Sequence, residues 1–265
     1  MSSDIKNKKQ QASNVQENEL LGSEMSFAAK EAYKLLRTNL AFALSDVEAG
    51  KGAVVGITSS IRGEGKSTTT LNLASVLAEQ GKRVIVVEGD LRLPTLRKKL
   101  KMRGKYGLSN VLLGKKEIQE YTQECKVGMV DQKEISFELL PAGNIPPNPS
   151  ELLGSKKMEE LLETLKQKYE YILIDLPPVT AVSDALIATK LVDGIVMVVR
   201  NEYCDTGSLN EAIRQLKQVD AKILGFIFTC ANSSLGGYRR RYKYRYYKNY
   251  KNYKNYKNYR YYEYK

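Results

Sequence analysis

The sequence predicts a doubly wound α/β domain built on a mostly parallel sheet. Three observations predict it: short apolar runs alternate with helical segments, a glycine-rich loop directly follows the first run, and carboxylates close two of the others. Residues 1–25 are polar, rich in Ser, Asn, Gln and Lys, and lack apolar periodicity, so a disordered N-terminal segment is expected there. From Ser26, a suitable N-cap, FAAKEAYKLLRTNLAFAL carries apolar residues at helical spacing and predicts an amphipathic packing helix over 26–46. After the break at Gly50 to Gly52, the runs AVVGIT, RVIVVEG, FELLP, YILID, GIVMVV and KILGFIF have strand length. Helical segments lie between them at 66–80, 155–169, 181–191 and 205–219. Runs that are apolar on both faces must be covered by helices on both sides, which places one domain over 26–237.

Beyond Gly237 the pattern changes to YRRRYKYRYYKNYKNYKNYKNYRYYEYK. This segment has no aliphatic residue and contains a tandem Tyr-Lys-Asn unit whose period of three suits neither a helix nor a half-buried strand. It is expected to be an unfolded arm over 238–265. The arm also accounts for the charge. Of the net +12, the eleven Lys or Arg and one acid of Tyr238–Lys265 supply +10, so the rest of the chain is nearly neutral.

Composition excludes several chemistries. The chain of 265 residues has no histidine, which removes imidazole-dependent triads and the usual transition-metal sites. Three scattered cysteines suggest neither a disulfide framework nor a zinc cluster and fit a reducing compartment. No apolar run approaches the roughly 20 residues of a membrane span, and no signal-peptide pattern opens the chain. A cytoplasmic protein is expected.

The chemistry is carried by SSIRGEGKSTTTLNLASVLAEQG, a loop that opens into a helix. Ser60 to Ser67 fits P-loop spacing, with Ser60 where the first glycine is usual. Gly63 and Gly65 let backbone N–H groups turn toward phosphates at the positive end of a helix. Lys66 is expected to reach the β and γ phosphates and the Ser67 hydroxyl to ligate Mg²⁺. Gly63, Glu64, Gly65, Lys66, Ser67 and Thr68 form the nucleotide-binding set. The blander reading is a glycine-rich turn with an incidental Lys and Ser; the strand before the loop and the helix after it argue against that. Glu88 and Asp90 follow one strand and Asp175 ends another. In open α/β sheets the ligand lies beyond the carboxyl ends of the strands, so these carboxylates can converge on Mg²⁺ and the reacting phosphoryl group. Taken alone, such residues are as well explained as helix caps or turn formers.

These residues resemble the bacterial tyrosine kinases of capsule and exopolysaccharide systems, in particular the separate kinase subunit of Gram-positive bacteria. The likeness spans about 27 to 235 and rests on EAYKLLRTN, SSIRGEGKSTTTLNLA, VIVVEGDLRLPTL, GLSNVLLG, LLPAGNIPPNPSELLGSKKMEELL and YILIDLPPVTAVSDA, with the tyrosine-rich terminus. It implies a MinD/ParA-like P-loop fold, ATP and Mg²⁺, and protein-tyrosine autophosphorylation. It also implies catalytic roles for Lys66, Glu88, Asp90 and Asp175, with Ser67, Asp90 and Asp175 toward the metal. Glu88 departs from the Asp-x-Asp pattern by one methylene. The motif Glu-x-x-Arg-x-x-Arg, which the resemblance links to ring-like oligomerisation, reads Glu31, Lys34 and Arg37, so one bidentate donor is replaced by a point charge. Related partition ATPases carry a Lys where Ile61 stands, and a base-reading Asn found in some relatives appears as Thr229.

The resemblance makes the arm a substrate. Its acceptors are Tyr238, Tyr242, Tyr244, Tyr246, Tyr247, Tyr250, Tyr253, Tyr256, Tyr259, Tyr261, Tyr262 and Tyr264, presented in trans within an oligomer. A basic arm is drawn to a pocket rimmed by Glu64, Glu88, Asp90 and Asp175, and full phosphorylation would turn its +10 into roughly −8 to −14. Further implied partners are a membrane-embedded activator of the polysaccharide co-polymerase (Wzz-like) type acting through its cytoplasmic end, a cognate tyrosine phosphatase and protein substrates in polysaccharide synthesis. The protein would then sit at the inner face of the membrane. Two other readings stay open: a regulatory ATPase of the ParA/MinD type without kinase activity, and a module that uses the Tyr/Lys arm on nucleic acid.

Overall fold

The computed structural model describes residues 27–102, 104–114, 118–130 and 133–230. The N-terminal segment 1–25, the Ser26 cap and the tyrosines of 238–265 lie outside the described residues. The chain divides into two units at Thr229, and every element below belongs to the first.

In chain order these are α1 (Phe27–Ala43), β1 (Ala53–Ser59), α2 (Lys66–Ala78), β2 (Val84–Glu88), α3 (Leu96–Lys99), α4 (Leu108–Leu112), a 3₁₀ turn (Ile118–Glu120), β3 (Gln123–Val130) and β4 (Lys133–Leu140). There follow α5 (Pro149–Leu153), α6 (Lys156–Lys168), β5 (Tyr171–Asp175), α7 (Asp184–Ala188) with a 3₁₀ turn (Thr189–Leu191), β6 (Gly194–Arg200), α8 (Thr206–Gln218) and β7 (Ile223–Thr229). The strands form a seven-stranded sheet in the order β3-β4-β2-β5-β1-β6-β7. All pairings are parallel except β3 with β4.

The period-2 alternation of each central strand sorts its side chains between two layers. Val54, Ile85, Val87, Ile172, Ile174, Ile195 and Met197 enter one core with α6, α7 and α8. Val55, Ile57, Val84, Val86, Leu173, Val196 and Val198 enter the other with α1, α2 and α3. Helix α2 is buried along nearly its whole length, from Ser67 to Ala78, because α1 covers its outer side. Two polar ties fix that cover: Arg37 donates to the Val76 carbonyl (2.9 Å) and Asn72 donates to the Tyr33 hydroxyl (3.3 Å).

Strand β3 was not expected. Its sequence, QECKVGMV, mixes polar and apolar residues as an edge strand does, and it bulges between Lys126 and Gly128 where it pairs with β4. The short helices α3, α4 and α5 were also unforeseen, being too brief for a period to show.

Ile57 is fully buried one turn of strand before the phosphate loop. Ile57→Ala should lower unfolding free energy by about 2–5 kcal/mol in urea titrations, the range for deleting a large aliphatic side chain from a packed core.

Candidate functional site

Parallel register brings three strand ends to one edge of the sheet. Ile57 pairs with Asp175 across β1 and β5, and Glu88 pairs with Asp175 across β2 and β5. The segment after β5 is then stitched to the end of β1: Leu176 donates to the Ile57 carbonyl, Val179 to the Ser59 carbonyl, and the Thr180 hydroxyl to the Ser60 carbonyl (2.9, 2.9 and 2.7 Å). Phosphate loop and β5 carboxylate are thereby fixed side by side.

Within the loop, Gly63 and Gly65 have φ of 85° and 93°, the left-handed region open to glycine. That pair of conformations turns the chain into α2 at Lys66. The first-turn N–H groups of α2 have no intrahelical acceptor and mark the anion-binding end.

The Glu64 carboxylate does not face this end. It is fully buried and accepts from Ile61 N (2.8 Å) and Arg200 N (3.1 Å), while the Glu64 carbonyl accepts from the Thr229 hydroxyl (2.8 Å). Arg200 also donates to the Gly63 carbonyl (3.2 Å). The acidic rim expected from Glu64 is therefore corrected: its carboxylate braces the loop against β6 from inside, and its backbone carbonyl ties the loop to β7. Arg200 and Thr229 were missed as supports, because their role depends on β6 and β7 ending beside the loop.

Glu88 is also turned inward. Its Oε1 accepts from Thr95 N and Leu96 N (both 2.6 Å) and its Oε2 from Ala142 N (2.9 Å). The extra methylene lets it span from β2 to the start of α3 and the end of β4. A fully buried carboxylate with its oxygens committed to three backbone donors is not open to a tyrosine hydroxyl, which corrects the expectation of a chemical role and of a place on the acidic rim.

Lys66, Ser67, Asp90 and Asp175 do come together. Lys66 Nζ lies 3.1 Å from Asp90 Oδ2 and 3.8 Å from Asp175 Oδ1. Asp90 Oδ1 accepts from Leu93 N (3.0 Å), and the Ser67 hydroxyl accepts from that of Thr95 (3.3 Å). Thr68 lies at the outer side, its hydroxyl accepting from Lys99 Nζ (3.3 Å).

Asp175 is buried with no conventional hydrogen bond to either carboxylate oxygen. Burial pushes its carboxyl up to about 6, with Lys66 and the Ser67 hydroxyl pulling the other way and the Glu88 and Asp90 charges reinforcing the rise. An orphaned buried carboxylate beside a hydroxyl and a second carboxylate is an oxygen-only donor set. It fits Mg²⁺, which takes one or two carboxylates and completes its shell with phosphate oxygens and water.

The three residues expected to mediate assembly lie on α1. Glu31 and Lys34 pair with each other (2.8 Å), and Arg37 already donates to Val76 within its own chain.

Comparison with known proteins gives a consistent picture. A family model described as "AAA domain" matches residues 52–225. The chain is 36% identical over 220 residues to tyrosine-protein kinase YwqD of Bacillus subtilis, covering 83% of this chain and 89% of that protein. It is 32% identical over 218 residues to tyrosine-protein kinase wzc of Salmonella typhi, covering 82% of this chain but 29% of that longer protein. The kinase domain of Escherichia coli tyrosine kinase ETK superposes with a TM-score of 0.67 at 30% identity, over 79% of this chain and 80% of that one.

Glu88→Asp keeps the charge but cannot reach all three backbone donors, so it should lose about 1–3 kcal/mol of stability in chemical denaturation. Full stability with a changed rate alone would contradict the bracing role. For Asp175, the folded value near 6 exceeds the ordinary 3.8, so the native state holds more protons than the unfolded chain between those pH values. Its stabilising contribution is complete below about pH 4 and is lost as pH rises through about 6. Asp175→Asn should therefore melt above the parent at pH 8, with the gap closing by pH 4. A gap independent of pH would assign the effect to packing.

Proposed function

The chain belongs to the family of bacterial tyrosine-protein kinases, and on that premise we propose that it transfers the γ-phosphoryl group of ATP to tyrosines of its own C-terminal cluster, Tyr238 to Tyr264, mostly in trans. The observation that carries this reading is the convergence of Lys66, Ser67, Asp90 and Asp175 at the mouth of the phosphate loop. In the transfer, the tyrosine oxygen forms a bond to the γ-phosphorus, the bond from that phosphorus to the β–γ bridging oxygen breaks, and ADP departs. Lys66 swings from the carboxylates to the β and γ phosphates and offsets charge that moves toward the leaving oxygen. Asp90 is the least buried of the three strand-end carboxylates, its side chain 9% exposed against 1% for Asp175, and with Glu88 committed to backbone it is positioned to take the hydroxyl proton. Asp175 and Ser67, with Asp90 beside them, would hold Mg²⁺, which when bound supplies positive charge to the β and γ phosphate oxygens.

The tail supplies tyrosine at high effective concentration, and an oligomer lets one copy serve another. Phosphorylation reverses the charge of the tail and would loosen assembly by repulsion, which makes the cluster a switch. We place assembly on the α1 helix with Glu31, Lys34 and Arg37. The chain's counterparts are a membrane-embedded activator that engages it through a cytoplasmic segment, a tyrosine phosphatase and protein substrates of polysaccharide synthesis. Among the described residues no helix is long and apolar enough to cross a membrane, so a place at the inner face of the membrane would come from the activator.

The test is incubation of the full chain with ATP and Mg²⁺, with and without the activator's cytoplasmic segment, followed by mass-spectrometric mapping of phosphotyrosine. Phosphate is expected on the tail in the parent and lower by about 10²-fold or more in Lys66→Met, the scale for removing one preorganised charge-stabilising donor. Mixing Lys66→Met with a parent truncated at residue 237 should restore phosphate to the variant's tail. ATP hydrolysis that leaves every tyrosine unmodified would replace this reading by that of a regulatory ATPase.

A further inference from the structure

We propose that Arg92 and Asp184 are positioning residues that set the separation of the two metal-side carboxylates, Asp90 and Asp175. The inference rests on the reading of the site as one for a Mg²⁺-nucleotide.

Asp90 lies on the loop between β2 and α3, and Asp175 ends β5 just before the segment that leads to α7. The first loop is tied at its start by Gly89 N to the Asp175 carbonyl (2.9 Å). It is tied at its end by Thr95 N and Leu96 N to Glu88. Its middle is held by local bonds, Leu91 N to the Gly89 carbonyl and Leu93 N to Asp90 Oδ1, and by the Lys66 ammonium. Among the described residues, Arg92 is the remaining polar tie from the middle to another part of the fold, beside the packing of the fully buried Leu91 in the core.

That tie is strong in form. Arg92 Nε donates to Asp184 Oδ2 (2.9 Å) and Nη2 to Oδ1 (3.0 Å), a two-point fork on a fully buried carboxylate. Ser150, on α5, donates to the same Oδ1 (2.7 Å) and accepts from Arg92 Nη2 (3.0 Å). Asp184 opens α7, which the β5 segment reaches after passing along the end of β1. The fork thus joins the Asp90 loop to the first turn of α7, while the Gly89 bond joins it to the end of β5. Added to the bonds at the loop's two ends and the burial of Leu91, the fork limits the tilt of the side of the loop that carries Asp90. Supporting groups of this kind typically change metal affinity or activity by about 10–100-fold when removed.

The test uses the full-length chain and the fluorescent probe N-methylanthraniloyl-ADP, titrated with and without Mg²⁺. Arg92→Lys keeps the charge but loses the fork, and Asp184→Asn keeps the shape but loses the ion pair. Both are expected to bind the probe without Mg²⁺ within about twofold of the parent, because the phosphate loop is untouched. Both should lose about tenfold or more of the tightening that Mg²⁺ produces. Added guanidinium should restore part of that response in Arg92→Ala but not in Asp184→Asn. An undiminished Mg²⁺ response in either folded variant would overturn the clamp, as would a loss of Mg²⁺-free binding in step with melting temperature, which marks a general structural role. A parent that shows no Mg²⁺ response would sink the Mg²⁺-nucleotide reading together with the clamp; a parent that responds beside variants that respond equally sinks the clamp alone.

Discussion

The site depends on the parallel register of three strands. With β5 between β1 and β2, Asp175 stands opposite both Ile57 and Glu88, so the phosphate loop, the Asp90 loop and the β5 carboxylate must leave the sheet from one edge. Register of this kind is strongly specified because the strands are buried on both faces. A slip of one residue would exchange the two cores side chain by side chain. Hydrophobic packing thereby fixes the position of polar chemistry that contributes nothing to the packing.

Beside Asp90, the buried carboxylates near this edge among the described residues are Glu64, Glu88, Asp175 and Asp184. Their partners separate them. Glu64 and Glu88 end on backbone N–H groups and Asp184 on a guanidinium and a hydroxyl, so each is satisfied and joins segments distant in sequence. Asp175 has no such hydrogen bond, the Lys66 ammonium standing 3.8 Å from one oxygen, and burying a charge so weakly partnered is costly. Proximity to a phosphate site does not identify a chemical residue. An unsatisfied carboxylate in a braced surrounding is the better candidate, because its oxygens are left open to a ligand.

Much of the fold was legible because it rests on local signals. Apolar runs such as YILID and GIVMVV read as buried parallel strands, and Gly63, Gly65, Lys66 and Ser67 mark a phosphate loop by spacing and the helix that follows. The residues that the structure brings together there, Lys66, Ser67, Asp90 and Asp175, were legible for the same reason. Glu88 and Glu64 were misjudged in part because one partner of each comes from far away: Ala142 is 54 residues from Glu88 and Arg200 is 136 from Glu64. No window of sequence holds both ends of such a bond. Arg92 was overlooked likewise, since Asp184 lies 92 residues on. Strand β3 escaped because an edge strand needs only one apolar face, and QECKVGMV offers little more.

The satisfied and unsatisfied carboxylates are linked energetically. An ionised Asp175 at neutral pH opposes folding, so the loops around it must be held by interactions that do not relax to cover it. Glu64, Glu88 and the Arg92–Asp184 fork supply such interactions through directed bonds to backbone or guanidinium, which fix geometry more tightly than apolar contact does. If the loops were soft, the backbone N–H groups nearby would turn to solvate Asp175 and its open coordination would disappear. The rigidity of the hydrogen-bonded carboxylates therefore keeps the oxygens of Asp175 open.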